Sequence, residues 1–167
     1  MVVMRILKVF SNVLMVGVGV ILSTSDGASS RKDPYVFGIQ NDGNRKAKDF
    51  AEYTSKSSAV LGGCFSNYRN MPDNFHLRIM ILNHKLSVFT DSLNHGKGFT
   101  ECFTGDIDGL FSAHDRHIGI SANSLNIADD HDLISLDVYE INPAHKSNEH
   151  KTQLSEEDKK VIFTFNN

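Results

Sequence analysis

Gly119-Ile120-Ser121-Ala122, the loop Asn123-Ser124-Leu125-Asn126-Ile127, and then Ala128-Asp129-Asp130-His131-Asp132-Leu133-Ile134-Ser135-Leu136 form the stretch around which this chain is organised. Its second half alternates. Ile134, Leu136 and Val138 fall on one face of an extended strand, with Ser135, Asp137 and Tyr139 on the other. An acidic, histidine-containing loop therefore leads into a half-buried strand. A metal site, a catalytic group and a hydrogen-bonded structural corner all fit that pattern, and the rest of the chain has to choose among them.

Working outward, the same period of two recurs. Phe75, Leu77, Ile79 and Ile81 alternate with His76, Arg78 and Met80; Asn83-His84 punctuates; Leu86, Val88 and Thr90 alternate with Lys85, Ser87, Phe89 and Asp91. This reads as a β-hairpin with one face on a core. Further short strands are predicted at Tyr35 to Gln40, Ala59 to Phe65, Phe99 to Phe103 and Ile118 to Ala122, and Asn41-Asp42-Gly43 and Asn70 to Asn74 read as turns. Only the charged Ser155 to Lys160 shows helical patterning. Many short strands between turn signals indicate an all-β sandwich or barrel.

Composition bounds the function classes. At 167 residues, 40% hydrophobic and 22% charged, the chain has the make-up of one globular domain with a sizeable core. A formal net charge of −3 without a basic cluster gives no reason to expect nucleic acid. Cys64 and Cys102 fit neither a CxxC redox motif nor a zinc-knuckle spacing. They are either two buried thiols or one disulfide made in an oxidising compartment. At the N-terminus, Arg5 and Lys8 before the apolar run Val9 to Leu22 read as a signal peptide. The competing reading is a buried strand, Gly17 to Leu22, entering a polar loop at Ser23 to Asp33.

Catalytic readings are poorly supported. His114, Asp115, His117 and the run Asp129 to Asp132 suggest a metallohydrolase. On a strand, however, His114 and His117 point apart, and no HExxH motif exists. No Gly-x-Ser-x-Gly elbow or phosphate-binding glycine loop occurs either. An oxygen-lined Ca²⁺ site is the more natural chemistry for an acidic loop, with Ser23 to Asp33 and Asp129 to Asp132 as its two possible locations.

Taken in register, these segments resemble the leguminous-type (L-type) lectin domain of ER–Golgi cargo receptors, the mannose-binding lectins of the intermediate compartment and the vesicular integral membrane lectins. The opening stretch resembles the end of that domain. Cys64 followed by Tyr68-Arg69-Asn70 matches the family's first cysteine and its Arg-Asn turn, Leu86-Ser87-Val88 its hairpin, and Glu101-Cys102 its second cysteine. Pro34-Tyr35-Val36 with Asn41-Asp42-Gly43, and Gly17 to Leu22, resemble the strand and turn and the strand entering the metal loop. The likeness spans about residues 9–143 and favours the strand reading of the N-terminus.

The resemblance implies a concanavalin-like, jelly-roll antiparallel β-sandwich, a Cys64–Cys102 disulfide and a place in the lumen of the early secretory pathway. It implies Ca²⁺ beside a shallow site for high-mannose glycoproteins, a binding function and not an enzyme. Membrane association through a further segment or a partner, and a homo- or hetero-oligomer, are compatible with it. By register the metal positions are Ser23, Ser25, Asp26 and Ser55, and the carbohydrate positions are Glu52, Leu125, Asn126 and Ile127. These depart from the family pattern. Ser23 stands where the family has an aspartate, Glu52 and Ser55 replace a histidine and an aspartate, and Leu125-Asn126-Ile127 replaces Gly-Gly-Leu. Hydroxyls in place of carboxylates remove the charge that holds Ca²⁺, and side chains at glycine positions narrow the sugar shelf.

The expectation is a partial lectin-like domain over residues 1–143 with a charged tail over 144–167, in which calcium and sugar binding are weakened. The alternative is a structural or protein-interaction domain on the same scaffold. Because the family's opening strands have no counterpart here, exposed core and unpaired strand edges are expected. Either a truncated gene model or a required partner would account for that.

Overall fold

The computed structural model describes residues 2–7, 14–23, 34–46, 59–93, 95–107, 117–122, 132–139 and 161–166. They form ten strands: β1 (Val2–Leu7), β2 (Leu14–Ser23), β3 (Tyr35–Lys46), β4 (Val60–Phe65), β5 (Phe75–Leu82), β6 (Lys85–Asp91), β7 (Thr100–Asp106), β8 (His117–Ala122), β9 (Asp132–Asp137) and β10 (Val161–Asn166). Two five-stranded sheets result, sheet A in the order β4-β3-β2-β1-β8 and sheet B in the order β7-β6-β5-β10-β9. Every pairing is antiparallel.

The alternation read in the sequence builds the core. Val18, Val20, Leu22 and Val36 of sheet A pack with Phe75, Leu77, Ile79, Leu86, Val88 and Phe103 of sheet B in one buried cluster. Leu77, Leu86, Val88 and Val36 are fully excluded from solvent, and each such side chain contributes about 1.5–3 kcal/mol of transfer free energy. The other face of sheet A carries a second cluster, Ile21, Phe37, Ile39 and Ala59, with Tyr35 and Val60 against it. Tyr35, Phe37 and Ile39 thus share a face, as alternation along a strand at Tyr35 to Gln40 requires, and it is the outer one.

The β5–β6 hairpin turns through Asn83-His84, whose φ angles of 49° and 59° both lie in the left-handed region. Positive φ at both central residues is the geometry that matches strand twist in a two-residue hairpin, and asparagine tolerates it well. Cys64 on β4 and Cys102 on β7 are joined by a disulfide with Cα atoms 5.3 Å apart. It staples one edge of sheet A to one edge of sheet B. Beside it, Phe103 seats on two glycines: a Cβ added to Gly38 would lie 2.5 Å from its ring, and one on Gly62 would lie 2.8 Å from its Cβ. Glycine here is what lets the sheets approach.

Four features differ from the sequence reading. Asn41-Asp42-Gly43 does not reverse the chain but lies inside β3, where the register with β2 shifts between Leu14 and Val16. The Asp42 carboxylate accepts from the Asn44 amide at 3.0 Å, so the local hydrogen bonding that suggested a turn builds an irregularity within a continuing ladder. β1 pairs with both β2 and β8, a strand not anticipated around Arg5. Val161 to Phe165, within the stretch expected to be a charged tail, runs between β5 and β9. Ile134, Leu136 and Val138, expected on a half-buried face, are 51%, 39% and 55% exposed, because β9 is the outermost strand of sheet B.

Candidate functional site

One end of sheet A gathers the ends of several strands. Ser23, the last residue of β2, pairs with Tyr35, the first of β3, which in turn pairs with Phe65, the last of β4. At the same end Val2 of β1 pairs with Leu22 on one side and with Ala122, the last residue of β8, on the other. Segment 24–33 therefore departs from the same end as segment 123–131. Their starting strands are separated only by β1, a spacing of about 9–10 Å. A third segment, 47–58, leaves β3 after Lys46 and returns at Ala59. Ala59 is buried in the outer-face cluster with Ile21 and Phe37, and its carbonyl accepts from the Gln40 amide at 2.9 Å.

The topology thus sets the strand ends that flank segments 24–33 and 123–131 at one end of sheet A, whereas segment 47–58 leaves β3 at Lys46, the opposite end of that strand, and rejoins the described chain at Ala59 beside Gln40. Of the sequence-predicted positions the described residues include Ser23 alone. Its side chain is buried at 8% exposure, on the face it shares with Ile21 two residues before it. Ser25, Asp26, Glu52, Ser55, Leu125, Asn126 and Ile127 lie outside the described residues. So do His114, Asp115 and Asp129 to His131 of the metallohydrolase reading. Among the described residues no three His, Cys, Asp or Glu side chains are grouped as metal ligands would be.

The rim of this end is aromatic. Tyr35 lies 6.3 Å from Phe37, ring centre to ring centre, and a Cβ on Gly63 would come within 2.7 Å of the Tyr35 ring. Phe65 beside them is 54% exposed. The Ser66 amide donates to the Pro34 carbonyl at 3.2 Å, which fixes where the β3 and β4 ends sit relative to one another. Phe65 was not singled out in the sequence. Its position directly after Cys64 was the available signal, since a neighbour of an inward-facing cysteine on a strand must point outward.

Among the described residues this end offers a buried hydroxyl at Ser23 and the aromatic side chains of Tyr35, Phe37 and Phe65, while the four positions assigned to metal by sequence register include one carboxylate, Asp26. Ca²⁺ takes six to eight oxygens and relies on carboxylate charge for affinity. A buried neutral serine at the first position fits it poorly.

Residues 11–148 match the model of the legume-like lectin family. Among curated proteins, the vesicular integral-membrane protein VIP36 of Homo sapiens is 26% identical over 152 residues, which is 88% of this chain and 40% of that protein. ERGIC-53 of Homo sapiens is 25% identical over 130 residues, 75% of this chain and 24% of that protein. The chain therefore spans less than half the length of these relatives. Among solved structures, the VIP36 exoplasmic/lumenal domain in its Ca²⁺/Man3GlcNAc-bound form aligns with a TM-score of 0.52 at 20% identity, covering 63% of this chain and 46% of that one. The Ca²⁺/Man-bound form gives the same score at 19% identity. These two likenesses establish the jelly-roll sandwich.

Proposed function

Because this chain belongs to the legume-like lectin family, we propose that it is a carbohydrate-binding, lectin-like protein related to the high-mannose glycoprotein receptors of ER–Golgi transport, with weakened Ca²⁺ and sugar binding. The observation that carries this reading is that Ser23 and Ala122, the residues from which segments 24–33 and 123–131 continue, lie at the same end of sheet A. By sequence register Ser23, Ser25 and Asp26 correspond to the family's metal positions, and Leu125, Asn126 and Ile127 to its sugar positions. Binding and not catalysis is the function such a set of hydroxyls, amides and apolar walls supports.

The weakening follows from the residues themselves. Serine at positions 23, 25 and 55 supplies neutral oxygens only, and Leu125 adds a side chain where the family pattern has glycine. Glycoproteins bearing high-mannose chains are the ligand class, and the lumen of the endoplasmic reticulum, intermediate compartment and Golgi is the location. The Cys64–Cys102 bond supports an oxidising compartment. Mass spectrometry of the unreduced protein tests this, since free thiols at both positions would count against the lumen.

A second reading is favoured by the burial of Ser23. A hydroxyl packed into the outer face suits a domain that kept the sandwich and serves protein interaction without sugar. A glycan array probed with and without Ca²⁺ separates the two. The lectin reading predicts weak retention on high-mannose glycans, changed little by chelation. Strong retention that requires Ca²⁺ and is lost on Asn126→Ala would contradict the weakened site. Folded, disulfide-bonded protein that retains no glycan would leave the interaction reading.

A further inference from the structure

We infer that the β9 edge of sheet B docks an extended segment of another protein, apolar along its length and basic at both ends. Among the described residues β9 is hydrogen-bonded on one side only, to β10. Leu133, Ile134, Leu136, Val138 and Tyr139 are 39–55% exposed within seven consecutive residues. Counted from the disulfide-stapled edge, β8 and β9 are each the fifth strand of their sheet, and β8 adds Ile118 at 37% exposure. An edge with unpaired backbone groups and large apolar side chains templates a further strand unless charge or proline guards it. No proline or lysine stands in β9.

The charges that are present select the occupant. Asp132 and Asp137 close the two ends of β9 and are exposed, and neither has an ion-pair partner among the described residues. A second copy of this chain is disfavoured: antiparallel pairing of all six residues sets each Asp132 opposite an Asp137, twice over. Like charges placed directly opposite across a ladder destabilise it. A foreign strand with Lys or Arg at those two registers turns the same positions into attraction. Main-chain hydrogen bonds then supply affinity and the alternate apolar side chains supply selectivity. Asp132 follows directly on segment 123–131, but the β9 edge uses none of the positions assigned to calcium or sugar, and strand docking there does not depend on sugar binding.

The test uses two fluorescent six-residue peptides with valine and threonine alternating between the ends, one ended by lysines that fall opposite Asp132 and Asp137 and one by glutamates, titrated by anisotropy against the full chain. The lysine-ended peptide is expected to bind at least about tenfold more tightly, and to slow amide exchange across residues 132–138. Asp132→Lys with Asp137→Lys should invert the preference, and Ile134→Lys should abolish binding of both while circular dichroism shows the fold kept. Equal binding of the two peptides, binding by neither, exchange in 132–138 already slow in the free protein, or a β9-dependent dimer in sedimentation would each overturn the inference.

Discussion

Asp91 is 3% exposed at the end of β6, a position for a charged side chain that stands only if its oxygens are used. One oxygen accepts from the Leu93 amide at 3.1 Å and the other from the Gly98 amide at 3.0 Å. The carboxylate therefore ties both ends of the 92–98 connection to the strand that precedes it. Asp91→Ala leaves two amides without their acceptor, and a loss of about 2–3 kcal/mol in urea unfolding is expected. Gly38 makes the opposite kind of demand, for absence of atoms. Gly38→Ala drives a methyl into the Phe103 ring and toward Leu86 at 3.2 Å, and about 1–3 kcal/mol of destabilisation should appear in the same assay. Arg78 shows a third solution. Its guanidinium stacks 3.7 Å over Phe99, and burial lowers its pKa from the ordinary arginine value.

Among the elements, those with complete local signals were legible. The β5–β6 hairpin carries alternation on both strands and a two-residue turn, so its register follows from the sequence: Ile81 faces Leu86 and Leu82 faces Lys85. The disulfide was open on spacing alone and followed from the family likeness. Asn41-Asp42-Gly43 misled because Asx hydrogen bonding stabilises a bulge as readily as a turn, and whether the ladder continues depends on β2, a partner far along the chain. β10 was missed for a similar reason. Six residues after a long charged stretch carry no local mark of the strands on either side of them. Of the candidate site, the sequence assigns positions by register with the family, of which the described residues hold Ser23 alone, while the placement of Ser23 and Ala122 at one end of sheet A depends on β1 lying between β2 and β8, a non-local fact. The disulfide closes a loop of 38 residues in sequence separation. Its removal in Cys64→Ala with Cys102→Ala should cost about 3–4 kcal/mol, read as a lower urea midpoint, and should loosen the β4–β7 edge before the hairpin in amide exchange.

At the scale of the molecule the sandwich is asymmetric. One edge is closed by the disulfide, the Phe103 seat on Gly38 and Gly62, and the approach of Gly105 to Leu61. The other ends in β8 and β9 with apolar side chains in solvent. The legume-like lectin sandwich is thus closed along one edge and open along the other, and the proposed weakening of calcium binding rests on the serines assigned to its metal positions. Calorimetric titration of the folded, disulfide-bonded chain with CaCl2 tests that account most directly. Saturable binding no tighter than about 10⁻³ M is predicted, the weak end of the range for protein calcium sites. Stoichiometric binding at about 10⁻⁵ M or tighter would contradict it, because the serines at positions 23, 25 and 55 would then belong to a working calcium site.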